Sequence, residues 1–220
     1  MTEIQQTISQ IKAEINNLDL KNTANVREVR RGFSKRLAQL DADFILSLAN
    51  ELRKTANLRW FGYELVRYHR EAFESLNGST LEMLGQGMNS WQDVDEFGRT
   101  LAGPAWLKGK IPDSLIHDWA ASTDLWWRRA ALVSTVALNM RSHGGQGDIP
   151  RTLAVCQILV EDHEDMVVKA MSWALRELVV HDPEAVANFI QQHETRLAAR
   201  VKREVRNKLN TGLKNPKKEN

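Results

Sequence analysis

The scarcity of helix-breaking residues constrains this sequence more than any other feature. Its 220 residues include only five prolines and twelve glycines, and no stretch sustains the period-two alternation of a half-buried strand. Short polar breaks, such as N-G-S-T at residues 77–80, separate segments with helical periodicity. The pattern predicts an all-α protein. Its helices are expected near residues 2–17, 24–40, 42–55, 57–74, 79–87, 91–103, 111–121, 125–142, 150–161, 164–180, 183–192 and 194–211.

Twelve short helices in succession indicate a repeat architecture. They form about six helix pairs at roughly 40 residues each, which is typical of a HEAT-like solenoid. A compact irregular helical domain is the alternative, because the repeats are too degenerate to show a strict period. We expect one HEAT-like domain over residues 1–211 and a disordered, basic tail, G-L-K-N-P-K-K-E-N, over residues 212–220.

The inventory of reactive residues excludes several classes of chemistry. Cys156 is the only cysteine, so an intramolecular disulfide and a cysteine-based zinc site are excluded. The six histidines are scattered without metal-ligand spacing, and there is no glycine-rich phosphate loop or H-E-x-x-H pair. We expect neither a metal nor a cofactor. Without a signal-like amino terminus or a long apolar segment, the expected location is the cytoplasm, or the nucleoid of a bacterial cell.

The stretch N-S-W-Q-D-V-D-E-F-G-R-T-L-A-G, residues 89–103, contains an acid without an obvious structural role. Ser90 is placed to cap a helix, and Asp93 three residues later completes a capping box. Asp95 has no such role. Trp91 and Asp95 lie four residues apart on one face, which Gly98 and Ala102 continue as a shallow trough. A solvated acid near a helix start is the competing interpretation of Asp95.

Arg129 stands out in the apolar segment D-L-W-W-R-R-A-A-L-V-S-T-V-A-L-N-M-R, residues 124–141. Its sector of the helix contains Val133, Val136 and Met140, and a guanidinium does not lose its proton. We therefore expect an anionic partner for Arg129, either a carboxylate or a phosphate. Alternatively, its stem packs in the core while its head reaches water.

Trp173 lies off the apolar stripe of the segment 165–178, on the side that carries Lys169 and Arg176. A tryptophan flanked by cations on the polar side of a helix is typical of a surface that binds protein or nucleic acid. The alternative is that a neighbouring helix covers it.

Cations are concentrated on two further helices. Arg27, Arg30, Arg31 and Lys35 share one face of the second helix. The last helix carries Arg196, Arg200, Lys202, Arg203, Arg206 and Lys208 and has few acids. On successive helices of a curved solenoid, such residues would form a basic concave groove suited to a duplex backbone. Charged faces that are simply solvated are the alternative.

Three segments in this order, S-W-Q-D-V-D, L-W-W-R-R-A-A and V-K-A-M-S-W-A-L-R-E, together resemble the AlkD-like DNA alkylation repair glycosylases. By position, Trp91 and Asp95 match the W-x-x-x-D of that family, Arg129 matches the arginine before the A-A pair, and Trp173 matches the tryptophan before L-R-E. The sequence departs from some relatives at residues 165–166, where they carry aromatic residues and this chain has aspartate and methionine.

The resemblance implies a HEAT-like fold that binds duplex DNA and hydrolyses the N-glycosidic bond of cationic N3- or N7-alkylated purines. It implies a monofunctional glycosylase in which one aspartate stabilises the oxocarbenium-like sugar and positions water. Duplex DNA with alkylated bases is the expected partner, and a monomer the expected state. The expected catalytic residues are Asp95, Trp91, Trp173 and Arg129. The expected DNA-binding residues are Arg27, Arg30, Arg31, Lys35, Lys169, Arg176, Arg200 and Arg203. A non-catalytic DNA-binding relative and a protein-binding HEAT scaffold remain alternatives.

Overall fold

Every regular element in the computed structural model, which describes residues 1–55 and 58–216, is helical, and that part of the chain contains no strand. The predicted all-α class is confirmed, and the packing of the helices is consistent with a HEAT-like solenoid. Contacts divide the chain into two compact units, Met1–Gln86 and Gly87–Asn220. The single domain over residues 1–211 stays a prediction. Residues 217–220 of the predicted tail and the start of the predicted helix 57–74 lie outside the described residues.

The first unit is built of stacked helix pairs. α1 packs on α2, α3 packs on α4, and corresponding members of the two pairs contact each other, α1 with α3 and α2 with α4. This is the packing expected of HEAT-like repeats. The helices are α1 (Glu3–Asn16), α2 (Thr23–Arg36), α3 (Ala42–Arg53), α4 (Arg59–Tyr68), α5 (Arg70–Glu74) and α6 (Gly78–Gly85).

The predicted helix 57–74 is wrong as one continuous element, because it is interrupted at His69. The backbone of His69 is extended, with ψ at 116°, and its Nδ1 accepts a hydrogen bond of 3.1 Å from the backbone N–H of Ala72. His69 therefore caps α5, a role usually taken by Ser, Thr, Asp or Asn. An apolar periodicity that continues through the break gives no sign of it.

The second unit centres on α10, which contacts the helices before it and after it. This apolar segment forms a central, largely buried helix. The helices are α7 (Trp91–Glu96), a π-helix (Phe97–Ala102), α8 (Gly103–Leu107), α9 (Asp113–Ala120), α10 (Leu125–Asn139), a 3₁₀ helix (Arg141–His143), α11 (Ile149–Ile158), α12 (Asp165–Leu178), α13 (Pro183–Gln192) and α14 (Ala199–Thr211). No helix among the described residues is long and apolar enough to cross a membrane.

The predicted helix 91–103 begins where expected, but the helical stretch continues to Leu107 and is irregular in its winding. α7 passes into the π-helix and then into α8, where Pro104 lies at the start. Proline removes a backbone N–H and crowds the carbonyl four residues earlier, so a widened π turn before Pro104 relieves both effects. The π-helix places its glycine against α10: a Cβ on Gly98 would lie 2.9 Å from Val133 Cγ1. The predicted shallow trough at Gly98 and Ala102 is therefore wrong, since both residues are buried.

Gly103 makes an equally close approach to α10, and this gives a test of the packing. A Cβ at this position would lie 2.5 Å from the backbone oxygen of Ser134 and 2.6 Å from Ala137 Cβ. We expect Gly103→Ala to lower the free energy of unfolding by about 1–3 kcal/mol and the Tm by roughly 2–4 °C per kcal/mol, measured by denaturant and thermal unfolding. Gly32→Ala in α2 is the matched control, because a Cβ there meets nothing within 4 Å. That control should be neutral or stabilising by up to about 1 kcal/mol, and wild-type stability in Gly103→Ala would contradict the packing argument.

The G-G-Q-G segment, residues 144–147, is not a flexible connector, although its glycines are typical of one. Gly145 is buried, and a Cβ there would lie 2.5 Å from the backbone oxygens of Ala137 and Leu138. The buried side chain of Asn139 holds the segment at its end, since its Oδ1 accepts a 2.9 Å hydrogen bond from the N–H of Asp148. The segment is thereby packed onto the carboxyl end of α10.

Candidate active site on the second unit

Asp95 and Arg129 form a two-point ion pair between α7 and α10. Arg129 Nε donates to Asp95 Oδ1 and Arg129 Nη2 donates to Asp95 Oδ2, each over 3.0 Å. Arg129 is only 5% exposed, and its third nitrogen, Nη1, donates to the backbone carbonyl of Met166 at the start of α12. The expected anionic partner of Arg129 is therefore a carboxylate. Bidentate pairs of this kind fix geometry as well as charge.

The local sequence of α7 explains how Asp95 reaches this position. Ser90 Oγ accepts a 3.2 Å hydrogen bond from the N–H of Asp93, which confirms Ser90 as the helix cap. The start of α7 is thereby fixed, and Asp95 turns towards α10 rather than solvent. Arg99, four residues after Asp95, donates to Glu96 instead. Asp95 consequently depends on Arg129 rather than on a neighbour in its own helix.

Two opposing effects set the proton affinity of Asp95. Burial raises the pKa of its carboxyl above the ordinary value, while the guanidinium of Arg129 and the more distant Arg99 act to lower the pKa. Burial is the larger effect, so the pKa of Asp95 is raised overall. The side chain is 17% exposed, so Asp95 is not completely shielded from solvent.

Trp173 lies beside this pair on an open cationic cavity. It lines a cavity of about 400 Å³ together with Arg129. The ring is half-buried and its Nε1 donates a 3.0 Å hydrogen bond to Glu177. A neighbouring helix therefore does not cover Trp173 completely. The remaining lining residues are Lys169, Arg176, Arg200, Glu204 and Lys214.

The cations of this cavity are held by acids that sequence reasoning did not single out. Asp165 accepts from Lys169 at 2.7 Å and from Arg200 at 2.6 Å, so the aspartate at one of the two departing positions connects α12 to α14. Glu204 is buried and accepts a 2.6 Å hydrogen bond from Ser172. A lone acid in the otherwise basic last helix was the available sequence signal for Glu204.

Arg176 and Arg203 occupy different parts of this surface. Arg176 Nε donates to Ser172 Oγ over 3.2 Å, and burial lowers the pKa of the Arg176 guanidinium, although Glu204 and Glu177 oppose the effect. Arg203 has a side chain that is 62% exposed and lies 3.9 Å from Glu204. Arg203 is therefore a surface charge, whereas Arg176 belongs to the wall of the cavity.

Trp91 is half exposed, with 50% of its surface accessible. It is the first residue of α7 and lies one turn before Asp95. A large aromatic side chain left in water at this position is free to contact a bound molecule.

The cations on the basic face of α2, in the first unit, differ in their burial and in the acids with which they pair. Arg30 is buried, donates to Glu64 over 2.7 Å and lies under the ring of Tyr68. Its charge is therefore neutralised inside the protein. Arg27 also donates to Glu64, over 3.1 Å, but remains partly exposed. The other two expected residues, Arg31 and Lys35, are exposed on the surface, and Arg31 pairs with Glu28 in its own helix.

Metal-dependent and thiol chemistry find no support in the described residues. No group of three or more histidine, cysteine, aspartate or glutamate side chains there could hold a metal ion. Cys156 is fully buried, and burial raises the pKa of its thiol to about 12. Cys156 is therefore a core residue rather than a nucleophile.

The helical packing is consistent with a HEAT-like solenoid, and in the second unit a buried arginine fixes the carboxylate of Asp95 beside a cationic cavity. The chain belongs to the DNA alkylation repair enzyme family, the AlkD-like proteins, whose family model matches residues 6–209. A comparison with curated proteins gave no match. Membership of the family establishes the resemblance inferred from the three segments and supports a role in DNA repair.

Proposed function

We propose that this protein is a monofunctional DNA glycosylase that hydrolyses the N-glycosidic bond of cationic N3- or N7-alkylated purines in duplex DNA. The observation that carries the proposal is the Asp95–Arg129 pair at the edge of the cavity that Trp173 lines. A glycosylase of this kind needs one fixed carboxylate with an open edge, a cationic surface for the backbone and aromatic rings beside the sugar.

The chemistry of the substrate explains why one carboxylate suffices. An alkyl group on N3 or N7 gives the purine a positive charge, which the base loses when the glycosidic bond breaks. The base therefore leaves without protonation by a general acid. Ordinary glycoside hydrolysis differs, because two carboxyl groups act there and one of them protonates the leaving group. The remaining task is to stabilise the positive charge that develops on the deoxyribose and to position water for attack. An ionised Asp95 provides both.

Arg129 and the two tryptophans act on that carboxylate and on the sugar. The two hydrogen bonds from Arg129 fix the plane of the Asp95 carboxylate and favour its ionised form. The π faces of Trp91 and Trp173 stabilise positive charge on the sugar and base, and this cation–π interaction contributes about 1 kcal/mol per ring. Transition-state charge is stabilised best by groups that are already oriented before the reaction begins.

The proposed DNA contacts are cations of each unit that are at least partly exposed, although several of them also pair with acids of the protein. On the second unit they lie around the cavity and on the exposed face of α14, and on the first unit they lie on α2. Arg30 is left out because its charge is buried against Glu64. The proposed residues are Arg27, Arg31, Lys35, Lys169, Arg176, Arg200 and Arg203. The protein is proposed to act as a monomer without a cofactor.

The direct test is release of base from a duplex oligonucleotide that carries a single N7-methylguanine. We expect the wild-type protein to leave abasic sites, detected by alkaline cleavage, without nicking the strand itself. Duplex affinity should fall by orders of magnitude between about 50 and 200 mM salt, because several phosphates are contacted. Salt-dependent duplex binding without base release would indicate a DNA-binding protein that lacks this activity. Salt-independent binding, or none, would indicate a protein-binding scaffold.

A further inference from the structure

Arg141, which follows the carboxyl end of α10, differs from the other arginines of the second unit. Among the arginines that the structure describes from residue 87 on, Arg141 alone has a side chain without a hydrogen bond, ion pair or ring contact. Arg141 is exposed. An arginine that the protein leaves without an anion is available to an anion from outside.

The backbone that carries Arg141 is held in place. Asn139 accepts a hydrogen bond from Asp148, and Gly145 packs against the last turn of α10. From the end of α12, His181 contacts the backbone oxygen of Asn139 through Nε2 at 2.6 Å. Arg141 therefore projects from a fixed platform, and a guanidinium on such a platform loses less conformational freedom when it binds.

Two adjoining cavities open at this platform, and Arg141 and His181 line both of them. One, of about 400 Å³, is also lined by Gly144, Gly145 and Gln146. The other, of about 260 Å³, extends along α12 to Glu177. Glu177 is also the acceptor of the Trp173 ring N–H. The exposed face of α12 is therefore continuous from the candidate active site to Arg141.

The orientation of the helices relates the two cationic sites to each other. α10 and α12 run parallel, because Arg129 near the start of α10 contacts Met166 near the start of α12, and Asn139 and His181 meet at their ends. Arg200 near the start of α14 contacts Asp165 in the same way. The cavity cations near the starts of the alternate helices α10, α12 and α14 thus form a row that crosses the helix axes.

A DNA strand bound along this row runs across α10, α12 and α14, and the axis of its duplex runs in the same direction. The axis of α10 therefore lies across the duplex and leads from one strand towards the other. α10 continues for ten residues after Arg129, about 15 Å at 1.5 Å per residue, and Arg141 follows just beyond the end of the helix. That displacement exceeds the roughly 12 Å width of the major groove. Glu177, between the two cationic sites, would then face a groove rather than a phosphate.

We propose that Arg141 binds a backbone phosphate of the strand opposite the damaged base, so that the second unit contacts both strands of the duplex. The proposal rests on the proposed function, in which the damaged nucleotide lies at Asp95, and it takes the damaged strand to follow the row of cations at the helix starts. A guanidinium offers two parallel N–H donors to phosphate oxygens, which makes Arg141 suited to this contact. Its consequence is a preference for duplex over single-stranded substrate.

The test uses N7-methylguanine duplexes in which single phosphates of one strand are replaced by uncharged methylphosphonates. For the wild type, replacement at one or two adjacent positions of the undamaged strand should lower kcat/KM for base release about ten-fold. Arg141→Ala should lose about as much on the unmodified duplex and show no further loss with those methylphosphonates. Equal sensitivity in both proteins, or sensitivity confined to the damaged strand, would overturn the assignment.

Binding measurements on undamaged duplex separate failure of this proposal from failure of the proposed function. Arg141→Ala should reduce the slope of log K against log salt by about one, with Arg141→Lys retaining most of it. Arg206 belongs to the basic last helix, but the structure pairs it with Glu194 and places it at a separate cavity with residues of α13, so Arg206→Ala is the matched control. That variant should leave the slope unchanged. If the wild type released no base, the proposed function would fail, and an unchanged slope in Arg141→Ala would overturn the phosphate contact.

Discussion

The Asp95→Asn variant is expected to release N7-methylguanine from duplex DNA at least about 10²-fold more slowly than the wild type. Asparagine keeps the shape of the side chain and can still accept a hydrogen bond from Arg129. It lacks the negative charge that stabilises the developing positive charge on the deoxyribose. The single-turnover rate constant at saturating protein measures this loss directly, because it is insensitive to a change in DNA affinity.

The neighbouring acid provides a matched control for this prediction. Glu96 is adjacent in sequence, but its carboxylate accepts hydrogen bonds from Arg99 and Thr100 within its own helical segment. Glu96→Gln should therefore retain base release within about three-fold of the wild type, an effect no larger than that of a peripheral charge. Thermal unfolding of both variants checks that the fold is intact. Equal release by Asp95→Asn and the wild type would preserve the glycosylase but assign its catalytic charge to another residue.

The helical fold could be predicted because its main determinants are local. Apolar residues recur at helical spacing in each segment, and polar breaks separate the segments. The interruptions inside segments were missed because they depend on other interactions. His69 ends α4 through a cap made by its ring nitrogen, and the π-helix before Pro104 adapts to α10 through Gly98. Periodicity contains no information about either.

The residues of the candidate site could be predicted from the sequence, but the contact between Asp95 and Arg129 could not. Arg129 on an apolar sector required an anion, and Asp95 lacked a structural role, so each was incomplete without a partner. Their contact joins residues 34 positions apart, and only the packing of α7 on α10 determines it. The prediction of an exposed cationic face was wrong for Arg30. Its spacing with other cations suggested an exposed face, but Glu64 on a neighbouring helix neutralises it.

The pairing itself leads to a second prediction, for Arg129→Met. Methionine fills a similar space without the charge, so Asp95 keeps its burial but loses the guanidinium that lowers its pKa. The pKa of Asp95 should therefore rise further above its ordinary value. The catalytic form is the ionised carboxylate, so activity is lost as pH falls through this pKa. In Arg129→Met the acid limb of the pH profile should move to higher pH, and base release near neutral pH should fall about 10- to 100-fold.

The measurement is kcat/KM for base release across pH, corrected for spontaneous release, because this ratio reports ionisations of the free protein. Arg128→Met is the matched control. Arg128 lies one residue earlier on α10 and pairs with Asp162 over 2.7 Å, so its loss also breaks an ion pair but leaves Asp95 alone. Both variants should lose stability, since each leaves an acid without its partner. Only Arg129→Met should move the acid limb. An unshifted limb in that variant would mean that Arg129 stabilises the fold without setting the charge of Asp95.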